Sequence, residues 1–221
     1  MSRIAFIFPG QGSQAIGMGK ELADAFPAAK AVFDEVDAAL GEKLSALIWG
    51  GAIEELTLTA NAQPALMAVS LAAARALEAG FGVKISTAAF VAGHSLGEYS
   101  ALAAAGALSV TDAARLLRKR GQAMQAAAPA GTGAMAALIG KVDVEAAEII
   151  ALEAGGAGTV VVANDNNVGQ LVIGGNRLFG FFVAVRLTCR RLDRHPKCRH
   201  PGLKQVQACL QFGTLDPLGY F

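Results

Sequence analysis

The chain has 221 residues, of which 53% are hydrophobic and 17% charged, and its formal net charge is +1. This composition excludes an intrinsically disordered chain and predicts a large α/β domain with a sizeable core. Gly, Ser or charged residues break every apolar stretch before the roughly 20 residues of a membrane span, and the N-terminus lacks a basic region followed by an apolar core. We therefore expect a cytoplasmic protein without a membrane span.

The first 80 residues predict one strand followed by helices. Residues 3–8 form an apolar run closed by Pro9-Gly10, which is typical of a buried strand in a parallel sheet. The Gly-rich loop that follows matches neither Gly-x-Gly-x-x-Gly nor the Walker pattern that ends in Gly-Lys-Ser/Thr, so a nucleotide site is not favoured. We expect instead that the backbone amides of this loop face an active site. Helical spacing predicts packing helices over 20–40 and an irregular connection over 44–56. A helix over 65–79 follows, with Pro64 near its first turn.

Residues 89–108 predict a strand, a tight turn and a helix around a Gly-x-Ser-x-Gly motif. Such an elbow needs glycine at 93 and 97, because a side chain there would collide with the adjoining strand or helix. Ser95 is then exposed before a helix, here predicted over 100–108. The N–H of Leu96 and the helix dipole can stabilise an oxyanion there. The sequence predicts that Ser95 is a nucleophile; the alternative is a serine that only caps the helix.

A second helix, predicted over 111–128, carries four basic residues. Three of them, Arg115, Arg118 and Lys119, fit a solvated face. Arg120 differs, because the Gly121 that follows it permits another backbone to approach closely.

Residues 134–175 predict a strand, a helix and two strands joined by an Asn-rich turn at 164–167, which is half of a ferredoxin-like module. Residues 177–221 differ: they hold eight Lys/Arg against two Asp/Glu, all three cysteines and two of the three histidines. We therefore divide the chain into a core at 1–128, a partial ferredoxin-like subdomain at 129–176 and an unmatched basic tail at 177–221.

The abrupt change in composition at the tail predicts that residues 177–221 come from an out-of-frame or foreign reading of the gene, or that they are disordered. The tail's cysteine spacings of 9 and 11 predict no metal site, and the tail lacks an aromatic-basic motif for nucleic acid.

Five short motifs follow one another along the first 135 residues. They are Pro-Gly-Gln-Gly-Ser-Gln at 9–14, Gln-Pro-Ala-Leu at 63–66, Gly-His-Ser-Leu-Gly at 93–97, Arg-Gly at 120–121 and Gly-Thr-Gly-Ala-Met at 131–135. With these motifs the chain resembles malonyl-CoA:acyl carrier protein transacylases, which load malonyl groups for fatty acid synthesis. The resemblance covers about residues 1–176. It implies a hydrolase-like, doubly wound parallel α/β sheet with an inserted ferredoxin-like subdomain, and predicts that this fold is incomplete at the C-terminus.

The resemblance also implies roles for single residues. Ser95 would attack the malonyl thioester, and the phosphopantetheine thiol of acyl carrier protein would resolve the malonyl-serine. The backbone N–H groups of Gln11 and Leu96 would form the oxyanion hole. Arg120 would bind the free malonyl carboxylate in bidentate fashion, which a planar guanidinium allows.

The resemblance further implies that Gln63 and Asn166 would contact the substrate or only order the pocket. The expected partners are malonyl-CoA and acyl carrier protein. We expect a monomer that binds no nucleic acid and needs no metal or cofactor.

The catalytic base is the one family feature that the sequence does not match. The family's histidine stands in a Pro-x-His segment after a strand, whereas His195 and His200 each precede a proline. His94 is expected to point away from Ser95, because successive side chains at a strand end face opposite ways. Without a base Ser95 is a weak nucleophile, so we expect impaired activity. The alternatives are a serine acyl hydrolase and a non-catalytic remnant.

Overall fold

The computed structural model describes residues 4–128, 132–140, 142–155, 158–167, 169–176 and 207–209. The chain splits into two compact units, Met1–Ala127 and Ala128–Phe221.

The first unit consists of seven helices and two strands within its described residues. They are β1 (Ala5–Phe8), α1 (Lys20–Ala25), α2 (Pro27–Leu40), α3 (Leu44–Gly50), α4 (Ile53–Thr57), α5 (Thr59–Phe81), β2 (Phe90–Gly93), α6 (Leu96–Ala104) and α7 (Val110–Ala127). A short 3-10 turn, Ile85–Thr87, precedes β2. The segment predicted as an irregular connection therefore holds two short helices, α3 and α4. The elbow helix begins at Leu96 rather than at residue 100.

Helix α5 begins six residues before the predicted start, which places Pro64 inside it. A side chain from another helix explains the early start. The Gln125 Oε1 atom of α7 accepts a hydrogen bond from the Ala60 N–H at 2.6 Å, and so caps a backbone donor that the first turn of a helix leaves free. Such a tertiary cap has no local sequence pattern.

By length and composition, α5 is the one helix among the described residues that is long and apolar enough to cross a membrane, with a mean hydropathy of 1.2 over an 18-residue stretch. Ser70, Arg75 and Glu78 interrupt its apolar residues, as the sequence predicted. Ten of its residues are buried, and it packs against α2, α6 and α7. α5 is therefore buried in the way that is typical of a core helix.

Strands β1 and β2 pair in parallel, with Ile7 opposite Ala92 and Ala5 opposite Phe90. We expected β1 to be buried, but only Phe8 is; Ile7 is 79% exposed and Phe90 is 65% exposed. Helix α6 packs against both strands. Since neighbouring residues of a strand face opposite ways, α6 can cover only one face of this pair, and the described residues leave the other face open.

The prediction that Arg118 is solvated was wrong. Its side chain is 15% exposed and donates hydrogen bonds to the Asn61 amide oxygen and the Glu42 carboxylate. Burial lowers the pKa of Arg118 because desolvation disfavours the charged form. Arg118 thus ties α7 to the start of α5 and to the residues after α2.

Replacing Arg118 by methionine is expected to lower the free energy of unfolding by about 1–3 kcal/mol, because the Asn61 amide loses its charged partner. Urea unfolding followed by circular dichroism measures the effect. The control is Lys119→Met on the neighbouring exposed residue, which should change stability by less than about 0.5 kcal/mol. Equal effects of the two variants would contradict a linking role for Arg118.

The second unit is an antiparallel sheet with one helix. Its elements are β3 (Gly133–Ile139), α8 (Val144–Gly155), β4 (Val160–Asn167), β5 (Gln170–Asn176) and β6 (Gln207–Cys209), and the strand order is β4-β5-β3-β6. Leu138, Ile150, Leu171 and Ile173 are among its buried core residues. The order of β3, β4 and β5 is that of the predicted ferredoxin-like module, with β6 beside β3.

The predicted Asn-rich turn was wrong, because residues 164–167 belong to β4. Register shifts interrupt the pairing of β4 with β5 between Val162 and Asn164 and between Asp165 and Asn167. The strand thus accommodates its polar residues through irregular pairing at the edge of the sheet. Most of the predicted tail, 177–206 and 210–221, lies outside the described residues.

Candidate active site

Ser95 lies in the sharp turn between β2 and α6, and its side chain is exposed. Its φ of 56° is positive, and it is the one such non-glycine residue in the part of the chain that the structure describes. A serine in this region is strained, and strain of this kind marks functional sites.

Glycine is required on both sides of Ser95, as the spacing predicted. A Cβ added to Gly93 would overlap the backbone of Gly97, and a Cβ on Gly97 would come within 2.7 Å of the Pro9 carbonyl oxygen. The loop after β1 therefore lies directly against the elbow.

His94 belongs to the contact between this loop and the elbow. Its ring is so close to Gly10 that a Cβ there would come within 2.7 Å of Nδ1, and its backbone N–H donates to the Phe8 carbonyl. The loop also has contacts of its own, since Gln11 Nε2 donates to Thr59 Oγ1 at 3.3 Å and the Gly12 N–H donates to Gln14 Oε1 at 3.0 Å. Gln11 is thus held next to the elbow and the start of α5.

Arg120 on α7 contacts Ser95. Its Nη2 donates to Ser95 Oγ at 3.0 Å, and its Nη1 donates to Gln63 Oε1 at 2.6 Å. The guanidinium carbon lies 6.0 Å from the centre of the Tyr99 ring. Three parts of the sequence, around residues 63, 95 and 120, therefore meet at one point.

The close crossing of α5 and α7 sets the position of Arg120. A Cβ added to Gly121 would come within 2.6 Å of both the Ala60 Cα and the Thr59 carbonyl oxygen. The close backbone approach that the sequence predicted at Gly121 is confirmed.

Gln63 is fully buried, and both ends of its amide are bonded. Its Oε1 accepts from Arg120, and its Nε2 donates to Met124 Sδ at 3.3 Å. Sequence reasoning missed Met124. The available signal was its spacing, because Met124 follows Arg120 by four residues and so shares its face of α7.

Asn166 lies in the second unit, on β4, where its Nδ2 donates to Gln170 Oε1 at 3.0 Å. Its role toward a substrate stays a prediction. His195 and His200 lie outside the described residues. Within the described ranges, no three His, Cys, Asp or Glu residues are grouped so that they could hold a metal ion.

Comparisons with known proteins point to one family. The acyl transferase domain family matches residues 5–178. The malonyl CoA-acyl carrier protein transacylase of Bacillus subtilis (strain 168) is 56% identical over 177 residues, which are 79% of this chain and 54% of that protein. The Escherichia coli (strain K12) protein of the same name is 47% identical over 178 residues, or 80% of this chain and 56% of that one. The chain thus spans about half the length of these relatives.

Solved structures give the same result. An acyl-carrier-protein-S-malonyltransferase from Bartonella henselae superposes with a TM-score of 0.77 and 49% identity, covering 96% of this chain and 64% of that one. A malonyl-transacylase solved in complex with a type II polyketide acyl carrier protein superposes with a TM-score of 0.75 and 40% identity, covering 86% of this chain and 60% of that one. The resemblance and the α/β fold class predicted from the sequence are confirmed.

Proposed function

Because the chain belongs to the acyl transferase domain family, we propose that it takes a malonyl group from malonyl-CoA onto Ser95 and passes it to acyl carrier protein. The observation that carries this proposal is the 3.0 Å hydrogen bond from Arg120 to the Ser95 hydroxyl. It joins a nucleophile in an elbow to a cation that suits an acidic acyl group.

The proposed reaction has two acyl transfers. Ser95 Oγ attacks the thioester carbonyl, the N–H groups of Leu96 and Gln11 receive the oxyanion, and the coenzyme A thiol leaves with the proton. The phosphopantetheine thiol then attacks the malonyl-serine ester, and Ser95 regains its proton. The start of α6 directly after Ser95 supports the role of Leu96, because the first N–H groups of a helix are free to bind an anion. We assign the general base to no residue.

Arg120 supplies the selectivity. A malonyl group carries its carboxylate one methylene away from the carbonyl that Ser95 attacks, so a guanidinium in contact with Oγ can reach that carboxylate. Arg120 is partly buried, and an acyl group without a carboxylate would leave its charge unpaired. The site thus favours short acidic acyl groups over acetyl.

The remaining features follow from the same proposal. Acyl carrier protein is the partner, as in the solved complex of a related malonyl-transacylase. We further propose a cytoplasmic monomer that acts in fatty acid biosynthesis without a metal or cofactor, and does not bind nucleic acid or membranes.

Mass spectrometry of the intact full chain after incubation with malonyl-CoA, followed by addition of phosphopantetheinylated acyl carrier protein, tests the proposal. The expected result is a malonyl adduct that moves to the carrier protein and is absent from Ser95→Ala. Release of free malonate without transfer would indicate the acyl hydrolase instead. Absence of any adduct would indicate the non-catalytic remnant, and both results would refute the proposal.

A further inference from the structure

The buried amide of Gln63 has only one orientation that suits Arg120. A guanidinium offers only donors, so the carbonyl oxygen of Gln63 must face Arg120, as it does at 2.6 Å. The amide nitrogen then points the other way and needs an acceptor of its own, because Gln63 is 0% exposed.

Met124 Sδ occupies that position, 3.3 Å from Gln63 Nε2. A thioether is a weak acceptor, but an amide rotated by half a turn would place its NH2 group against the guanidinium. Arg120 and Met124 lie four residues apart on α7, so one helix face contacts both ends of the same amide.

We propose that Met124 is a positioning residue that acts through Gln63 to hold the Arg120 guanidinium against Ser95. The inference deepens the proposed function, and its effect on selectivity rests on that function. Met124 itself touches neither Ser95 nor the substrate in this role. It fixes which end of the Gln63 amide faces the cation, and a fixed cation discriminates between malonyl and acetyl groups better than a mobile one.

The selectivity test uses substitutions at position 124. Met124→Leu keeps the approximate volume but removes the acceptor, and it should lower the ratio of malonyl to acetyl loading on Ser95 about tenfold. Met124→Gln offers a carbonyl acceptor and should restore most of that ratio. The control is Leu116→Met, which exchanges the same two residue types on the same helix. Leu116 is 44% exposed and Met124 is 46% exposed. This control should leave the ratio unchanged.

A double-mutant cycle separates action through Gln63 from a local packing effect. If Met124 acts through Gln63, then Gln63→Leu with Met124→Leu should be no less selective than Gln63→Leu alone. Additive losses, or an unchanged ratio in Met124→Leu, would overturn the proposal.

A second measurement does not depend on the reaction. In the full chain without ligand, the side-chain amide protons of Gln63 should exchange slowly with solvent, and NMR measures the rate. They should exchange about tenfold faster in Met124→Leu, which removes the acceptor of that amide, but not in Leu116→Met. Equal exchange in all three proteins would overturn the positioning role even if malonyl transfer is confirmed. Failure of the wild type to react with malonyl-CoA would refute the proposed function and leave this exchange result to decide the inference.

Discussion

Arg120→Ala is expected to lower the preference of the chain for malonyl over acetyl groups by about 100-fold, mainly by slowing malonyl loading. The carboxylate would lose a partly desolvated cation, and removal of one partner from such a pair commonly costs about 2–5 kcal/mol. The rates at which malonyl-CoA and acetyl-CoA modify Ser95, followed by intact mass, give the ratio. Arg120→Lys should recover only part of it, because an ammonium cannot bind the carboxylate with two parallel hydrogen bonds.

Arg115→Ala is the matched control for Arg120. Arg115 lies on the same helix, is exposed, and donates to the Ala39 carbonyl at 3.1 Å rather than to Ser95. Its removal should leave the malonyl-to-acetyl ratio unchanged. Equal ratios in wild type and Arg120→Ala would contradict the role of Arg120, whatever the absolute rates.

Gly93→Ala is expected to abolish malonyl loading and to lower the free energy of unfolding by about 3 kcal/mol or more. The added methyl would overlap the Gly97 backbone, which cannot move without shifting the start of α6 and Ser95 with it. Urea unfolding and intact mass after malonyl-CoA treatment measure the two effects.

Gly50→Ala is the control for this substitution. A Cβ at Gly50 meets no atom within 4 Å, and its φ is not positive. Stability should therefore stay the same or rise slightly, because alanine reduces the freedom of the unfolded chain. A Gly93→Ala protein that is as stable and as reactive as Gly50→Ala would show that the elbow does not need glycine.

The sequence predicted the features of this protein that depend on residues close together in the chain. The Gly-x-Ser-x-Gly spacing predicted the elbow, because the steric conflict at Gly93 arises from the backbone only four residues away. The Arg120-Gly121 pair likewise predicted the close helix crossing. In both cases the close approach of another backbone segment requires glycine at that position.

Two of the wrong predictions concern features that tertiary contacts decide. The early start of α5 depends on Gln125, which is 65 residues away, and the Arg118 side chain donates a hydrogen bond to Glu42, 76 residues away. Neither contact can be predicted from the residues that surround these positions in the sequence. The partnership of Gln63 with Met124 spans 61 residues and was missed for the same reason.

Malonyl transfer through Ser95 is tested most directly by the site of the malonyl group. Trypsin cleavage after Lys84 and Arg115 should release the peptide 85–115, which contains Ser95 and three other serines. After incubation with malonyl-CoA, fragmentation should place the malonyl group on Ser95 alone. A malonyl group on Ser86, Ser100 or Ser109, or an unmodified peptide from a protein that still transfers malonyl, would contradict a malonyl-serine at the elbow.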